Sequence, residues 1–176
     1  APELSSQSIK NYIFKLGGGI STPIEKEGSY DRDAGYNLNM GAGYLFHRNI
    51  GARLDMDYDL FRDPTGKGPT TADNPQFYML SFKLGVTGGY FKKKTKVKPY
   101  AIAGLGFHYL TDLRTDLVII QKSETAFSVF GGAGIFFTFS DEGGLYLESE
   151  YQSFLSSNRL KANIPVRAGI VYCPGR

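Results

Sequence analysis

The stretch Ile50-Gly51-Ala52-Arg53-Leu54-Asp55-Met56-Asp57-Tyr58-Asp59-Leu60 decides the fold. Apolar side chains stand at 50, 52, 54, 56, 58 and 60, and Gly51, Arg53, Asp55, Asp57 and Asp59 stand between them. A period of two sends successive side chains to opposite faces of a β-strand. This strand therefore has one apolar face and one charged face.

Working outward, residues 34–46 repeat the pattern. Tyr36, Leu38, Met40, Ala42, Tyr44 and Phe46 share one face, and Gly35, Asn37, Asn39, Gly41 and Gly43 share the other. The same alternation predicts strands over 10–20, 50–61, 76–90, 98–110, 125–139, 145–154 and 160–172, eight strands in all. In 98–110 the apolar face carries Ala101, Ala103, Leu105, Phe107 and Tyr109, although Tyr100 and Ile102 oppose it. In 160–172 the apolar face is set at Ala162, Ile164, Val166, Ala168, Ile170 and Tyr172. Pro165 inside that run has no amide to donate and predicts a bulge or local irregularity. The connections alternate in length. His47-Arg48-Asn49 and Ser140–Gly144 are short turns, whereas 21–34, 62–75 and 111–123 are longer and hold loop chemistry such as Asp63-Pro64-Thr65-Gly66. No linker or low-complexity tract interrupts the chain, so 1–176 reads as a single domain.

Composition narrows the class. Among 176 residues, 41% are hydrophobic and 21% charged, and no apolar run is long enough for a transmembrane helix. Twenty-two glycines and 14% aromatics suit closely packed strands. A net charge of +3 points to no nucleic-acid partner. The single cysteine, Cys173, excludes an internal disulfide and a cysteine-rich metal site. Neither His47 nor His108 has a nucleophile, an orienting acid or metal ligands at a serviceable spacing, so no catalytic residue, cofactor or metal site is assigned. The opening Ala1-Pro2-Glu3-Leu4 reads as a start left by signal cleavage in an exported protein.

A soluble lipocalin-like binder would turn the apolar face inward, with Leu54, Met56 and Phe82 lining its pocket. A membrane barrel would turn it outward to lipid. Four features favour the membrane. The strands are long enough to cross a bilayer when tilted. Tyrosines cluster at the ends of the apolar stripes, like interfacial girdles. Glycines fill the polar face, as a crowded interior requires. Short turns alternate with long loops, as periplasmic turns and outer loops do. No Asp, Glu, Lys or Arg falls on the apolar stripes.

On that reading the other face is a lumen. Lys15, Arg53, Lys83, Lys161 and Arg167 point into it with Asp55, Asp57, Asp59, Glu148 and Glu150, and the two sets cancel. An eight-stranded bore is only wide enough for side chains to fill. Either a polar structural core or a narrow ion path follows. Lys92, Lys93, Lys94, Lys96 and Lys98 form a basic turn on the short-turn, periplasmic side, suited to anionic headgroups or an acidic partner. The long loops face outside, toward lipopolysaccharide or a protein partner.

Lys98-Pro99-Tyr100-Ala101-Ile102-Ala103-Gly104-Leu105-Gly106-Phe107 resembles the Pro-Tyr and spaced-glycine strand of small OmpA/OmpX-type outer-membrane barrels. Pro165-Val166-Arg167-Ala168-Gly169-Ile170-Val171-Tyr172 resembles their terminal strand. Arg167, Gly169 and Tyr172 match three fixed positions of that family's assembly signal, and the fourth falls on Pro174. The resemblance implies an eight-stranded antiparallel up-and-down transmembrane β-barrel in the bacterial outer membrane; such barrels serve as membrane anchors, adhesins, small-solute pores, lipid enzymes or subunits of envelope assemblies, and the residues here carry no catalytic constellation, so no enzymatic activity is expected. It leaves open an envelope structural or interaction role and a narrow channel.

Overall fold

The computed structural model describes residues 12–25, 34–47, 49–62, 76–89, 95–111, 113–114, 119–140, 142–158 and 160–174. In chain order the elements are β1 (Tyr12–Glu25), β2 (Gly35–His47), β3 (Ile50–Arg62), β4 (Gln76–Gly89), β5 (Val97–Leu110), β6 (Leu113–Arg114), β7 (Ile119–Gln121), β8 (Glu124–Thr138), β9 (Gly143–Phe154) and β10 (Leu160–Tyr172). Eight long strands pair antiparallel with their neighbours, and β1 pairs with β10 to close the ring. The short strands β6 and β7 pair with each other beyond β5, and β6 also touches the start of β4. Closure leaves the eight long strands no exposed edge, which is what allows a β-sheet to sit in hydrocarbon.

The alternation seen in the sequence becomes an inside and an outside. Leu38, Leu54, Leu84 and Leu105 stand outward with more than half of their surface exposed, while Lys83 and Arg167 are fully buried. Leu54, Met56 and Phe82, which a lipocalin-like barrel would turn into a pocket, all face out. An apolar exterior around a charged interior is stable only where the surroundings are themselves apolar. On β5 the outward face is Ala101 to Tyr109, and Tyr100 and Ile102 turn inward.

β10 departs from strict alternation. Opposite Ile24 and Glu25 the register with β1 shifts by one, and Lys161 is the extra residue. On the far side of this bulge Ala162 and Asn163 are both buried. Ala162, placed on the apolar face by its parity, therefore points inward. Pro165 itself causes no bulge. It keeps register with Ser21 on β1, and the ladder to β9 only lapses at Ile164 and Pro165 between Asn163↔Gln152 and Val166↔Ser149. A missing N–H removes a ladder bond without adding a residue.

Two apolar layers cross the lumen. Toward the loop end, Phe61, Met79, Leu110, Ala126, Phe154 and Leu160 pack together. Toward the turn end, Leu45, Tyr100, Phe136, Tyr146, Val171 and Cys173 do the same, with Tyr100 stacked on Phe136 at 4.4 Å.

Candidate functional site: the charge network in the lumen

Between the apolar layers lies a buried ionic network. β3 presents Arg53, Asp55, Asp57 and Asp59 inward at every second position, rising from the turn end toward the loop end. β9 stands four strands away around the ring and presents Glu148 and Glu150 from the opposite wall. Arg53 spans the bore between them. It donates to Asp55 at 2.5 Å, to Glu148 at 2.5 Å and to Glu150 at 3.1 Å. Lys15 of β1 meets Asp55 at 3.1 Å and Glu148 at 2.9 Å. Lys83 of β4 reaches Asp57 and Glu150, each at 2.5 Å. Arg167 of β10 holds Asp57 at 2.6 Å, Glu150 at 2.6 Å and Glu148 at 3.2 Å.

Four cations and four carboxylates thus form one closed set, since each cation touches at least two acids. Such sharing is required here. A buried ion left without a partner costs several kcal/mol, and a pair repays its desolvation only when its geometry is good. Neutral groups complete the set. Asn39 donates to Asp57 across the β2–β3 pair. The Tyr100 hydroxyl donates to Glu148 at 2.6 Å, the Tyr146 hydroxyl to Asn39 at 3.2 Å, and the Lys15 ammonium lies over the Tyr146 ring at 5.1 Å. Gly41 makes room for this crowding, since a Cβ there would collide with the Asp55 carboxylate and the Lys15 side chain.

Two residues grouped with the network by sequence do not join it. Lys161 is exposed, because the β10 bulge reverses its facing. Asp59 is buried but lies one step nearer the loops, hydrogen-bonded to Asn37 at 2.7 Å, and has no cation within 4 Å among the described residues. The basic turn is also revised. Lys92, Lys93 and Lys94 lie outside the described residues. Lys96 is exposed, and Lys98 is an inward, buried residue of β5 beyond the Tyr100 layer. Loop residues 26–33, 63–75, 112 and 115–118 likewise lie outside the described residues.

Sequence reading missed a second polar group. His108 is bracketed by Ser81 at 2.7 Å and Ser128 at 2.6 Å and packs edge-on against Phe154 at 4.8 Å. All three polar residues are inaccessible to solvent. Their shared inward parity on neighbouring strands β4, β5 and β8 was the available signal.

A cavity of about 20 Å³ lies at the turn end of the network, lined by Ile13, Lys15, Leu45, Arg53, Thr87 and Phe136. That is room for roughly one water molecule.

A closed antiparallel barrel with a lipid-compatible exterior and a buried ionic interior defines the class: an integral membrane β-barrel. The chain belongs to the outer membrane protein beta-barrel domain family, whose model matches residues 4–167, and its place is the bacterial outer membrane. No curated protein sequence matches it significantly. Among solved structures it is similar to Neisserial surface protein A, with a TM-score of 0.68 at 18% identity over 93% of this chain and 97% of that one. It is also similar to the N-terminal barrel of Pseudomonas aeruginosa OprF, with a TM-score of 0.63 at 15% identity over 92% and 96%. A third is Ail of Yersinia pestis, solved with the heparin analogue sucrose octasulfate, with a TM-score of 0.59 at 16% identity over 92% and 99%.

Proposed function

We propose that this protein is a non-conducting, non-enzymatic barrel of the outer membrane that serves the envelope as a structural and interaction component, with its loops making the contacts. The observation that carries this reading is the way the lumen is filled. Four shared cations and four shared carboxylates occupy its middle. The layers built on Phe61 and on Tyr100 and Phe136 close it from either end. A hydrated ion crossing this barrel would have to displace both layers and leave several buried charges without their partners at once, at several kcal/mol each. With the bore closed, chemistry directed at the outside falls to the loop end. The fold allows such a role, since the similar barrel Ail was solved with a heparin analogue bound. Lys122 and Lys161 are exposed cations at that end.

The test is planar-bilayer recording of the refolded protein. The expected result is insertion, shown by heat-modifiable mobility, without steady conductance steps. Reproducible open steps would overturn the reading and favour a narrow channel. Substituting Arg53 would then have to change the current.

A further inference from the structure

Between the closed ionic set and the loop-end apolar layer lies an arc of uncharged polar side chains, spanning five of the eight barrel strands, with a single carboxylate in it. Adjacent strands β9, β10, β1, β2 and β3 contribute Gln152, Asn163, Ser21, Asn37 and Asp59 in turn, all buried. Asn163 and Gln152 are cross-strand partners, as are Asn37 and Asp59. Ser21 exchanges hydrogen bonds with Asn163 at 2.9 and 3.2 Å and also reaches the Asp59 carboxylate.

Two observations set this layer apart. The first is charge. Arg167, the cation nearest in sequence register, is already shared by Asp57, Glu148 and Glu150, and the other network cations are likewise committed. Lys98, the remaining buried cation among the described residues, lies at the opposite end, past the Tyr100–Phe136 layer. Asp59 is therefore a buried carboxylate that no cation among the described residues pairs with. The second is orphaned oxygen. The amide oxygens of Asn37 and Gln152, in residues at most 2% exposed, accept no hydrogen bond. Buried acceptors without donors cost about 1–3 kcal/mol each, so natural structures rarely keep them without a partner.

A surplus of oxygen lone pairs around one unbalanced carboxylate is the donor set of a hard cation. We propose that the layer of Asp59, Asn37, Ser21, Asn163 and Gln152 binds one sodium-sized monovalent cation. The charge count selects its valence. A single positive charge neutralises Asp59, whereas a divalent ion would only reverse the imbalance, and calcium sites use several carboxylates or a larger oxygen cage. The layer built on Phe61 covers the site from the loop side, so the ion is taken up during folding and exchanges slowly. The ion here supports folding of the barrel, whether or not the lumen conducts.

The experiment is refolding of the full chain into detergent with radioactive ²²Na⁺, followed by desalting. In parallel, the heat-modifiability midpoint is measured in NaCl, KCl and choline chloride at constant ionic strength. The expected result is one retained sodium per chain. The midpoint should rise roughly 5–10 °C in sodium over choline at about a hundredfold excess over Kd. Asp59→Asn should lose both the retained ion and the sodium-specific shift. Asn163→Ala, which keeps the carboxylate, should weaken both. Equal midpoints in all three salts with no retained sodium overturn the proposal, as does a sodium effect that survives Asp59→Asn. A protonated carboxyl band in the infrared spectrum that disappears in Asp59→Asn and is unchanged by sodium also overturns it, assigning the balance to a proton.

Discussion

At Glu148 three cations and a phenol converge. Lys15 at 2.9 Å, Arg53 at 2.5 Å, Arg167 at 3.2 Å and the Tyr100 hydroxyl at 2.6 Å all address one carboxylate. Removing its charge leaves cations under-compensated in a medium that solvates them poorly. Glu148→Gln, nearly the same in shape, should therefore lose about 3–5 kcal/mol of stability, the range for breaking a buried pair from one side. Urea unfolding followed by gel mobility measures this, and a loss under 1 kcal/mol would contradict it. Sequence parity alone placed Glu148 inside the barrel. It could not say which bases would surround it, because those come from β1, β3 and β10, at separations that only closure of the ring makes short. The same limit hid Tyr100. A tyrosine at inward parity reads as a misfit on a polar face until its hydroxyl is seen against Glu148.

At the scale of the strand, the alternation on β3 is strict from Ile50 to Asp59, and both faces behave as their chemistry demands. Leu54 is 56% exposed at the middle of the outward stripe. Leu54→Arg should destabilise the folded barrel by about 2–4 kcal/mol, because the cation enters hydrocarbon near the midplane. Lys161→Ala, at the rim and already outward, should change stability by less than about 0.5 kcal/mol. If both substitutions cost the same in lipid unfolding titrations, the inside–outside assignment is wrong. β10 shows where strand-level reading fails. A period of two propagates only while the register holds, and the one-residue bulge at Lys161 reverses the facing of Leu160, Lys161 and Ala162, while Asn163 onward keeps the expected parity. Pro165 was the visible irregularity in the sequence. The actual shift lies four residues earlier, where nothing in the residue types announces it, since a bulge is set by how β10 meets β1.

Over the whole molecule, the lumen is a stack: an aromatic layer at the turn end, the ionic set, two polar groups, one around Asp59 and one around His108, and the apolar layer at the loop end. On the proposed closed-lumen reading, the two apolar layers are redundant barriers. Phe136→Ala or Phe61→Ala alone should leave planar bilayers without steady current, because the other layer and the ion pairs still close the bore. Steady current from either single variant would show that one layer is the only barrier. The sequence by itself showed that the chain forms two-faced strands, pointed to eight of them, and favoured lipid for the apolar face over a ligand pocket. The first two follow from local alternation, and the third from strand length, aromatic stripe ends, glycines on the polar face and the alternation of short turns with long loops. Only the tertiary structure decided which charges pair, that Lys161 leaves the lumen, and that Asp59 stands apart from the balanced set. Total charge can be counted along a chain, but a buried ion is stabilised by the groups within a few ångströms of it, and those neighbours are chosen by register and closure.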